Sequence, residues 1–327
     1  MNTPKPDSER ETFVDDSSEI TALISDIFSS DKVQIKTAPT EELMVYLEEN
    51  IVAGEKGCVI EAPFRNGKNS GIRFNLKKLP EFLGHHIGWC ELSASWQTKD
   101  EKKPFVGRVL SALGHEDPWT GRPQEIFDRL VAHLVARCDE SPLKCFVLWF
   151  DDVHTFRLSE LYWIFDISNA MDKRAKLFII LSMPPMVDGL KAKLREHKRG
   201  DIVQRFTLDP FKFRGLKTKA ELHDVLDRFS NYSDGERPSI SEIFKRKTRK
   251  DYNLSDLTDA FWLGFRKRWR KHLDLKKFEL GMKWPCSAAA RVVLKVHSRE
   301  WDGLPRPDEI EHALNTCGFS GALEDLV

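Results

Sequence analysis

The chain has 327 residues, of which 41% are hydrophobic and 31% are charged, a composition typical of globular domains rather than of disordered or fibrous chains. No stretch approaches the roughly 18 consecutive apolar residues that a membrane helix needs, and the first residues are polar and acidic, unlike a signal peptide. We therefore expect a cytoplasmic protein without a membrane segment. Its six cysteines form no C-x-x-C motif and are expected to be reduced thiols.

Charge is distributed unevenly along a chain whose formal net charge is zero. Residues 1–50 carry 4 basic and 12 acidic side chains, whereas residues 241–300 carry 16 basic and 7 acidic ones. This asymmetry predicts an acidic N-terminal segment and a basic surface that could meet a polyanion or an acidic protein. Ordinary solvated helix faces are the alternative explanation.

The first 35 residues are predicted to form an acidic segment that is partly disordered. Residues 1–18 show no apolar period. A helical pattern over 19–29 then places Ile20, Leu23, Ile24 and Ile27 on one stripe. That helix either docks on another surface or is the first helix of the core. The next helix is predicted to begin near Thr40, because two glutamates follow it and apolar residues recur at helical spacing.

From residue 58 onward, short apolar runs alternate with helical patterns. The runs typical of buried parallel strands are 58–62, 86–92, 145–150, 177–181 and 205–208. The helical patterns between them cover 107–113, 123–138, 158–171 and 186–197. Such alternation predicts an α/β fold in which helices flank a parallel five-stranded sheet. No strand is predicted after Pro210, and the remaining residues have helical and basic patterns.

The sequence after the first predicted strand, EAPFRNGKNSG at 61–71, is close to a phosphate-binding loop. In the pattern G-x-x-x-x-G-K-[ST], the glycines let backbone N–H groups approach phosphates, the lysine neutralises them, and the hydroxyl holds Mg²⁺. Gly67 and Lys68 are in place, but Ala62 replaces the first glycine and Asn69 replaces the hydroxyl residue. The residues expected to surround the phosphates are Ala62, Pro63, Arg65, Asn66, Gly67, Lys68, Asn69 and Ser70.

A later strand ends in the acid that such a loop needs. The run CFVLWFDD places Asp151 and Asp152 at the carboxyl end of a buried strand, the edge at which ligands bind in parallel sheets. The two motifs in this order predict a nucleotide site. Hydrolysis is expected to be slow or absent, because Asp152 is one methylene shorter than the usual glutamate and the loop lacks its hydroxyl. The Asn69 amide oxygen could hold Mg²⁺ directly or through water, or Ser70 could shift into its place.

Four stretches resemble, in their order, the AAA+ ATPases of transposition called TniB and TnsC. They are VGRVLSALGHEDPWTGRPQEIFDRLVAHL, FVLWFDDVH, KLFIILSMPPMVDGL and GDIVQRFTLDPF. The resemblance implies a P-loop AAA+ nucleotide-binding domain over 36–212 that uses ATP and Mg²⁺. A helical lid or C-terminal domain is implied over 213–327, where GLPRPDEIEHAL is similar to the closing helix of AAA+ lids.

The resemblance assigns roles to the motif residues. Lys68 would bind the β- and γ-phosphates, and Asp151 with Asn69 would hold Mg²⁺. Asp152 would orient the attacking water. Ser182, at the end of IILS, would be the sensor residue, although it is also explained as a plain strand-end hydroxyl.

Arg205 would act on a neighbouring subunit by reaching its γ-phosphate. A pair with Asp209 is the alternative. The family further implies a homo-oligomer, either a head-to-tail ring or a filament on double-stranded DNA. Such an assembly would receive a TniQ-like target-selection protein and recruit the transposase.

Candidate DNA contacts follow from the same resemblance, because the DNA-facing residues of the family lie after the second strand. They are Lys99, Lys102, Lys103, Arg108 and Arg122. The basic clusters at 245–250 and 265–272 are the alternative. Trp269 in the second cluster either stacks on a base or packs in the core.

The leading hypothesis is thus an ATP-dependent regulator of DNA transposition. One alternative is a structural adaptor that binds nucleotide and has lost hydrolysis, which the altered loop favours. The other is an unrelated P-loop ATPase of signalling or defence whose helical domain binds a protein.

Overall fold

The computed structural model describes residues 16–28, 33–93, 101–185, 189–206, 210–233, 235, 237–300 and 302–324. The chain divides into two compact units. The sheet unit contains Lys36–Lys217 and Glu279–Lys283. The helical unit contains Met1–Ile35, Thr218–Phe278 and Trp284–Val327. No helix in the described part of the chain is long and apolar enough to cross a membrane.

Five parallel strands form the centre of the sheet unit. They are β1 (Gly57–Glu61), β2 (Gly88–Ser93), β3 (Cys145–Asp151), β4 (Lys176–Met183) and β5 (Phe211–Lys212). Their order across the sheet is β2-β3-β4-β1-β5, and every pairing is parallel. The predicted five-stranded parallel sheet is confirmed.

Helices precede and connect the strands of the sheet unit. They are α2 (Ala38–Ala53), α3 (Lys68–Leu83), α4 (Lys102–Ala112), α5 (Pro123–Asp139), α6 (Leu158–Met171), α7 (Gly189–Glu196) and α8 (Gly200–Phe206). Helix α2 begins at Ala38, two residues before the predicted Thr40. The reason is that Thr37 caps it, with Thr37 and Thr40 each accepting a hydrogen bond from the other's backbone N–H.

Both faces of the sheet are buried, as the continuous apolar runs predict. Alternate residues of β3 face opposite ways, so Phe146, Leu148 and Phe150 pack in the core with α4, α5 and α6. Val147 and Trp149 join the other core layer, with α2 and α3. All seven residues of β3 are buried. Core packing on both faces of β3 therefore fixes the position of Asp151 at its end.

One predicted strand is wrong. The run 205–208 was expected to form the last strand, but Arg205 lies in the final turn of α8. The buried residues Ile202, Val203 and Phe206 are spaced as on one helical face. The edge strand follows Pro210 instead, at Phe211–Lys212, where no strand was expected. Short apolar runs have no periodicity that separates a strand from a short buried helix.

The helical unit is made of helices and short 3₁₀ turns in its described residues. Its helices are α1 (Asp16–Phe28), α9 (Lys219–Ser230), α10 (Ile240–Thr248), α11 (Thr258–Trp269), α12 (Lys283–Ser298), α13 (Pro307–Thr316) and α14 (Phe319–Glu324). Aromatic rings hold α11 and α14 together. The ring of Phe319 lies 5.0 Å from that of Phe265 and 6.4 Å from that of Trp269. Trp269 is thus a core residue.

Candidate functional site

The loop between β1 and α3 changes direction through two residues with left-handed backbone conformations. Arg65 has φ 73° and Gly67 has φ 88°. The second position favours glycine because a side chain there is strained in this conformation. Helix α3 starts directly after it, and the Gly71 N–H donates to the Gly67 carbonyl at 2.8 Å. The first N–H groups of a 16-residue helix therefore face the loop, an arrangement that attracts phosphate.

Asp151, at the end of β3, is the centre of a hydrogen-bonded cluster. Its Oδ1 accepts from Lys68 Nζ at 2.9 Å and from Ser182 Oγ at 2.6 Å. Its Oδ2 accepts from Asn69 Nδ2 at 2.5 Å. Burial alone raises the pKa of this carboxyl, but the hydrogen bonds from Ser182 and Lys68 outweigh burial and lower it. The structure therefore brings three predicted site residues, Lys68, Asn69 and Ser182, together around a fourth, the ionised Asp151.

Ser182 is fixed from several sides. Its hydroxyl donates to Asp151 and accepts from the Trp149 indole N–H at 2.8 Å. Lys68 Nζ lies 3.3 Å from the same oxygen. The sequence predicted no polar role for Trp149. The available signal was its position two residues before Asp151, because residues at that spacing share one face of a strand.

Asp152 differs from its neighbour in both exposure and backbone. Its side chain is 50% exposed, and its φ of 53° is unusual for a residue other than glycine. A carboxylate oxygen lies 3.8 Å from Lys68 Nζ and 3.9 Å from His154 Nδ1. Asp152 thus lies beside the lysine at the open side of the cluster.

The donor set is compatible with Mg²⁺. Asn69 Oδ1 is buried and has no hydrogen-bond partner among the described residues, so it is an oxygen acceptor with unused capacity. It belongs to the residue that also contacts Asp151. Carboxylate and amide oxygens are hard ligands of the kind that Mg²⁺ takes from proteins.

Arg205 contacts residues of its own chain that lie on α6 and directly after that helix. Its guanidinium donates to Ser168 Oγ at 3.0 Å and to Asp172 Oδ2 at 3.1 Å, and it lies over the ring of Phe165. Asp172 also accepts from Lys56 Nζ at 2.8 Å. Burial raises the pKa of Asp172, but the bonds from Lys56 and Arg205 together lower it. The described contacts of Arg205 are therefore with these residues and not with the Asp151 cluster.

Four of the five candidate DNA contacts are described, on α4 and at the start of α5, and Lys99 lies outside the described residues. Lys103 Nζ donates to the carbonyl of Gly121, the residue before Arg122, at 2.9 Å. Lys102 pairs with Asp166 at 2.8 Å and Arg108 with Glu160 at 3.1 Å. Lys103 and the exposed Arg122 thus lie close together, whereas the other two described cations pair with acids on α6.

In the alternative cluster at 265–272, two residues have roles in packing. Arg268 is buried and donates to Glu311 Oε1 at 2.7 Å and to Asn315 Oδ1 at 2.5 Å. The Trp269 indole N–H donates to the Asp274 carbonyl at 2.9 Å. The packing explanation of Trp269 is therefore the correct one.

A second piece of chain, Glu279–Lys283, lies against the loop within the sheet unit. Glu279 Oε1 accepts from Asn66 Nδ2 at 3.0 Å, and the Lys283 N–H donates to the Arg65 carbonyl at 3.2 Å. Sequence reasoning assigned these residues to the helical domain and gave them no role. Nothing in a local pattern marks a contact between residues 213 positions apart.

Solved structures share this architecture. The ORC2 protein of Aeropyrum pernix (ADPNP-ADP complexes) matches with a TM-score of 0.62 at 11% identity, over 89% of this chain and 71% of that one. The A. pernix ORC1 protein in complex with DNA gives 0.52 at 13% identity, over 88% and 68%. Drosophila ORC bound to DNA gives 0.54 at 11% identity, over 96% and 70%. No protein-family model and no curated sequence matches the chain.

At these identities the likeness shows the fold alone. The chain has the P-loop AAA+ fold, a parallel five-stranded sheet flanked by helices and followed by helices in the C-terminal part. The fold that the resemblance implied is therefore confirmed. The more specific likeness to TniB and TnsC stays a prediction.

Proposed function

We propose that the chain is an ATP-dependent AAA+ regulator of DNA transposition. It oligomerises on double-stranded DNA and links a TniQ-like target-selection protein to the transposase. The observation that carries the nucleotide part is the convergence of Lys68, Asn69 and Ser182 on Asp151, beside a helix N-terminus. The fold shared with proteins solved with ADPNP and ADP or with DNA supports the class, and the four stretches similar to TniB and TnsC support transposition.

Lys68 is the residue that responds to a bound phosphate. Its ammonium lies 2.9 Å from Asp151 and 3.8 Å from Asp152, so a carboxylate pair holds the charge at the end of the loop. A triphosphate brings more negative charge to the same ammonium, which then bridges the ligand and the strand acid. Ser182 keeps Asp151 in place while this happens, because the Trp149 indole N–H holds the serine hydroxyl.

Asp151 and Asn69 are the residues that would hold Mg²⁺, through a carboxylate oxygen and the buried Oδ1. When bound, the ion neutralises charge on the phosphates and orients them. Asp152 lies at the open side, where its carboxylate can accept a hydrogen bond from water and orient it. Its side chain is short and half-exposed, so this positioning is loose and turnover is expected to be slow.

A second candidate function is a structural adaptor that binds nucleotide without hydrolysing it. It is favoured by the amide that faces Asp151 where a hydroxyl is usual, and by the shortened second acid. Turnover of ATP, measured with and without duplex DNA, separates the two functions. Regulated hydrolysis supports the first, and tight binding with no turnover in either condition supports the second.

The nucleotide site is tested by Lys68→Ala. This change removes the only described cation within 4 Å of Asp151, and we expect the affinity for a fluorescent ATP analogue to fall by about 10- to 100-fold, the size associated with lost bonds to charged groups. Lys78→Ala is the matched control, because Lys78 pairs with Glu81 on the exposed face of the same helix. Unchanged affinity in folded Lys68→Ala protein would contradict the site.

A further inference from the structure

The segment Glu279–Lys283, called here the clasp, contacts three consecutive residues of the nucleotide loop. Glu279 accepts from the Asn66 side chain, and the Lys283 N–H donates to the Arg65 carbonyl. A Cβ built on Gly67 would meet Met282 Cβ at 3.2 Å. The clasp therefore touches the part of the loop that turns the chain into α3.

The clasp also contacts the chain that follows β5. Leu280 and Leu216 form an antiparallel bridge with two backbone hydrogen bonds of 2.9 Å, and neither side chain is exposed. The Glu279 oxygen that accepts from Asn66 also accepts from the Gly215 N–H at 2.6 Å. One carboxylate thus joins the loop to the chain that follows β5.

The clasp lies so close to the loop that a side chain at Gly281 would collide with it. A Cβ built on Gly281 would lie 2.9 Å from both the Arg65 carbonyl oxygen and Asn66 Oδ1. Arg65 itself has a left-handed backbone, with φ 73°, which is unfavourable for a residue other than glycine. Such a conformation persists where surrounding contacts hold it. Here the clasp supplies one of those contacts, on the carbonyl of Arg65.

We propose that Glu279 is a positioning residue of the nucleotide site, which fixes Asn66 and thereby the conformation in which the loop receives phosphate. This inference rests on the proposed nucleotide function. Glu279 acts through its role as an acceptor and not through its charge, since a negative charge near the loop repels phosphate. The hydrogen bond that Glu279 accepts is therefore expected to raise nucleotide affinity, whereas its negative charge is expected to lower it. Substitutions that remove one without the other separate the two effects.

Two substitutions at this residue make the test. Glu279→Ala removes the acceptor, and we expect nucleotide affinity to fall about 10-fold, as for loss of a hydrogen bond to a charged group. Glu279→Gln keeps an oxygen that can accept from Asn66 and removes the charge, so affinity is expected to stay within about 2-fold of wild type or to increase. Glu49→Ala, an exposed position on α2, is the matched control. Equal losses in the Ala and Gln variants, or a gain in both, would overturn the proposal.

A double-mutant cycle checks that the effect passes through Asn66. If it does, Asn66→Ala weakens binding, and adding Glu279→Ala to it produces little further loss. Fully additive losses would contradict the proposal.

Hydrogen exchange of the full-length protein without nucleotide distinguishes this proposal from the nucleotide function itself. Glu279→Ala is expected to speed amide exchange in residues 64–71 and Glu279→Gln is not. If the loop loosens but wild-type protein binds no nucleotide, the proposed function fails and the positioning stands. If wild type binds nucleotide and the loop is unaffected, only the positioning role fails.

Discussion

At the scale of single residues, the site depends on how one carboxylate is shared. Asp151 accepts from an ammonium, a hydroxyl and an amide, all within 2.9 Å. The amide is the departure from the usual loop, since a hydroxyl at Asn69 could both donate to the acid and offer a lone pair to a cation. An amide uses separate atoms for these tasks: Nδ2 faces Asp151, and Oδ1 is left without a partner in the described chain.

Restoring the hydroxyl should therefore raise Mg²⁺-dependent turnover. We expect Asn69→Thr to increase steady-state ATP hydrolysis by about 10-fold or more, within the range of one misplaced catalytic contact. The measurement is phosphate release over a Mg²⁺ titration. Asn69→Ala is the control, because it removes the amide without supplying a hydroxyl. If the Asn69→Thr protein hydrolyses ATP no faster than wild type, Asp152 and not the missing hydroxyl limits the rate of hydrolysis.

At the scale of helices and strands, much of the sheet unit follows from sequence. The strand β3 and the helix α6 were predicted to within one residue, because a seven-residue buried run has the length of a strand and a 14-residue segment with apolar residues at helical spacing has the length of a helix. The closeness of Lys68, Asn69 and Asp151 could be predicted, because the loop and the acid each follow a parallel strand and therefore lie at the same edge of the sheet. The clasp could not be predicted, because its contacts join residues 213 positions apart. The position of Trp149 placed it on the face of Asp151, but its hydrogen bond to Ser182 joins two different strands and is seen only in the structure.

The connection from α4 to α5 is the element proposed to contact DNA. Lys103 and Arg122 lie together there, and changing both to glutamate should weaken binding to all duplex sequences alike. The slope of log affinity against log salt should flatten by about one unit for each lost phosphate contact. Fluorescence anisotropy with two unrelated duplexes at several salt concentrations measures both effects.

Lys245→Glu combined with Arg246→Glu is the matched control for this prediction. These residues lie in the last turn of α10, within the alternative basic cluster. If the α10 pair reduces the affinity and the α4–α5 pair does not, the position of the DNA contacts has been assigned to the wrong element.

At the scale of the whole molecule, we expect Arg205 to link nucleotide binding to assembly. In the single chain its guanidinium is paired with Asp172 and Ser168. To reach a neighbour's γ-phosphate it must exchange these partners. We therefore expect ATP, and not ADP, to favour a head-to-tail contact, and such heterologous contacts close into a ring or propagate as a filament.

Arg205→Ala should leave nucleotide affinity within about 2-fold of wild type and reduce assembly at least about 10-fold, since the lost phosphate contact is charge-assisted. Electron microscopy and sedimentation with duplex DNA and a non-hydrolysable ATP analogue measure assembly. Arg199→Ala, which removes a cation paired with Asp201, is the control. Normal assembly of Arg205→Ala would exclude it as the trans-acting residue, and Arg195, Lys191 and Lys193 would be the next candidates.

The clasp also sets an order of events during protein synthesis. Asn66 and Glu279 are separated by 213 positions, which a ribosome adding about 5–20 residues per second covers in about 10 to 40 s. In the last part of that interval, after β4 and β5 have been translated, they can pair with β1 while the loop lacks its last contacts. A nascent chain can therefore have a finished sheet and an unfinished loop, and the final shape of the loop depends on residues translated after most of the protein.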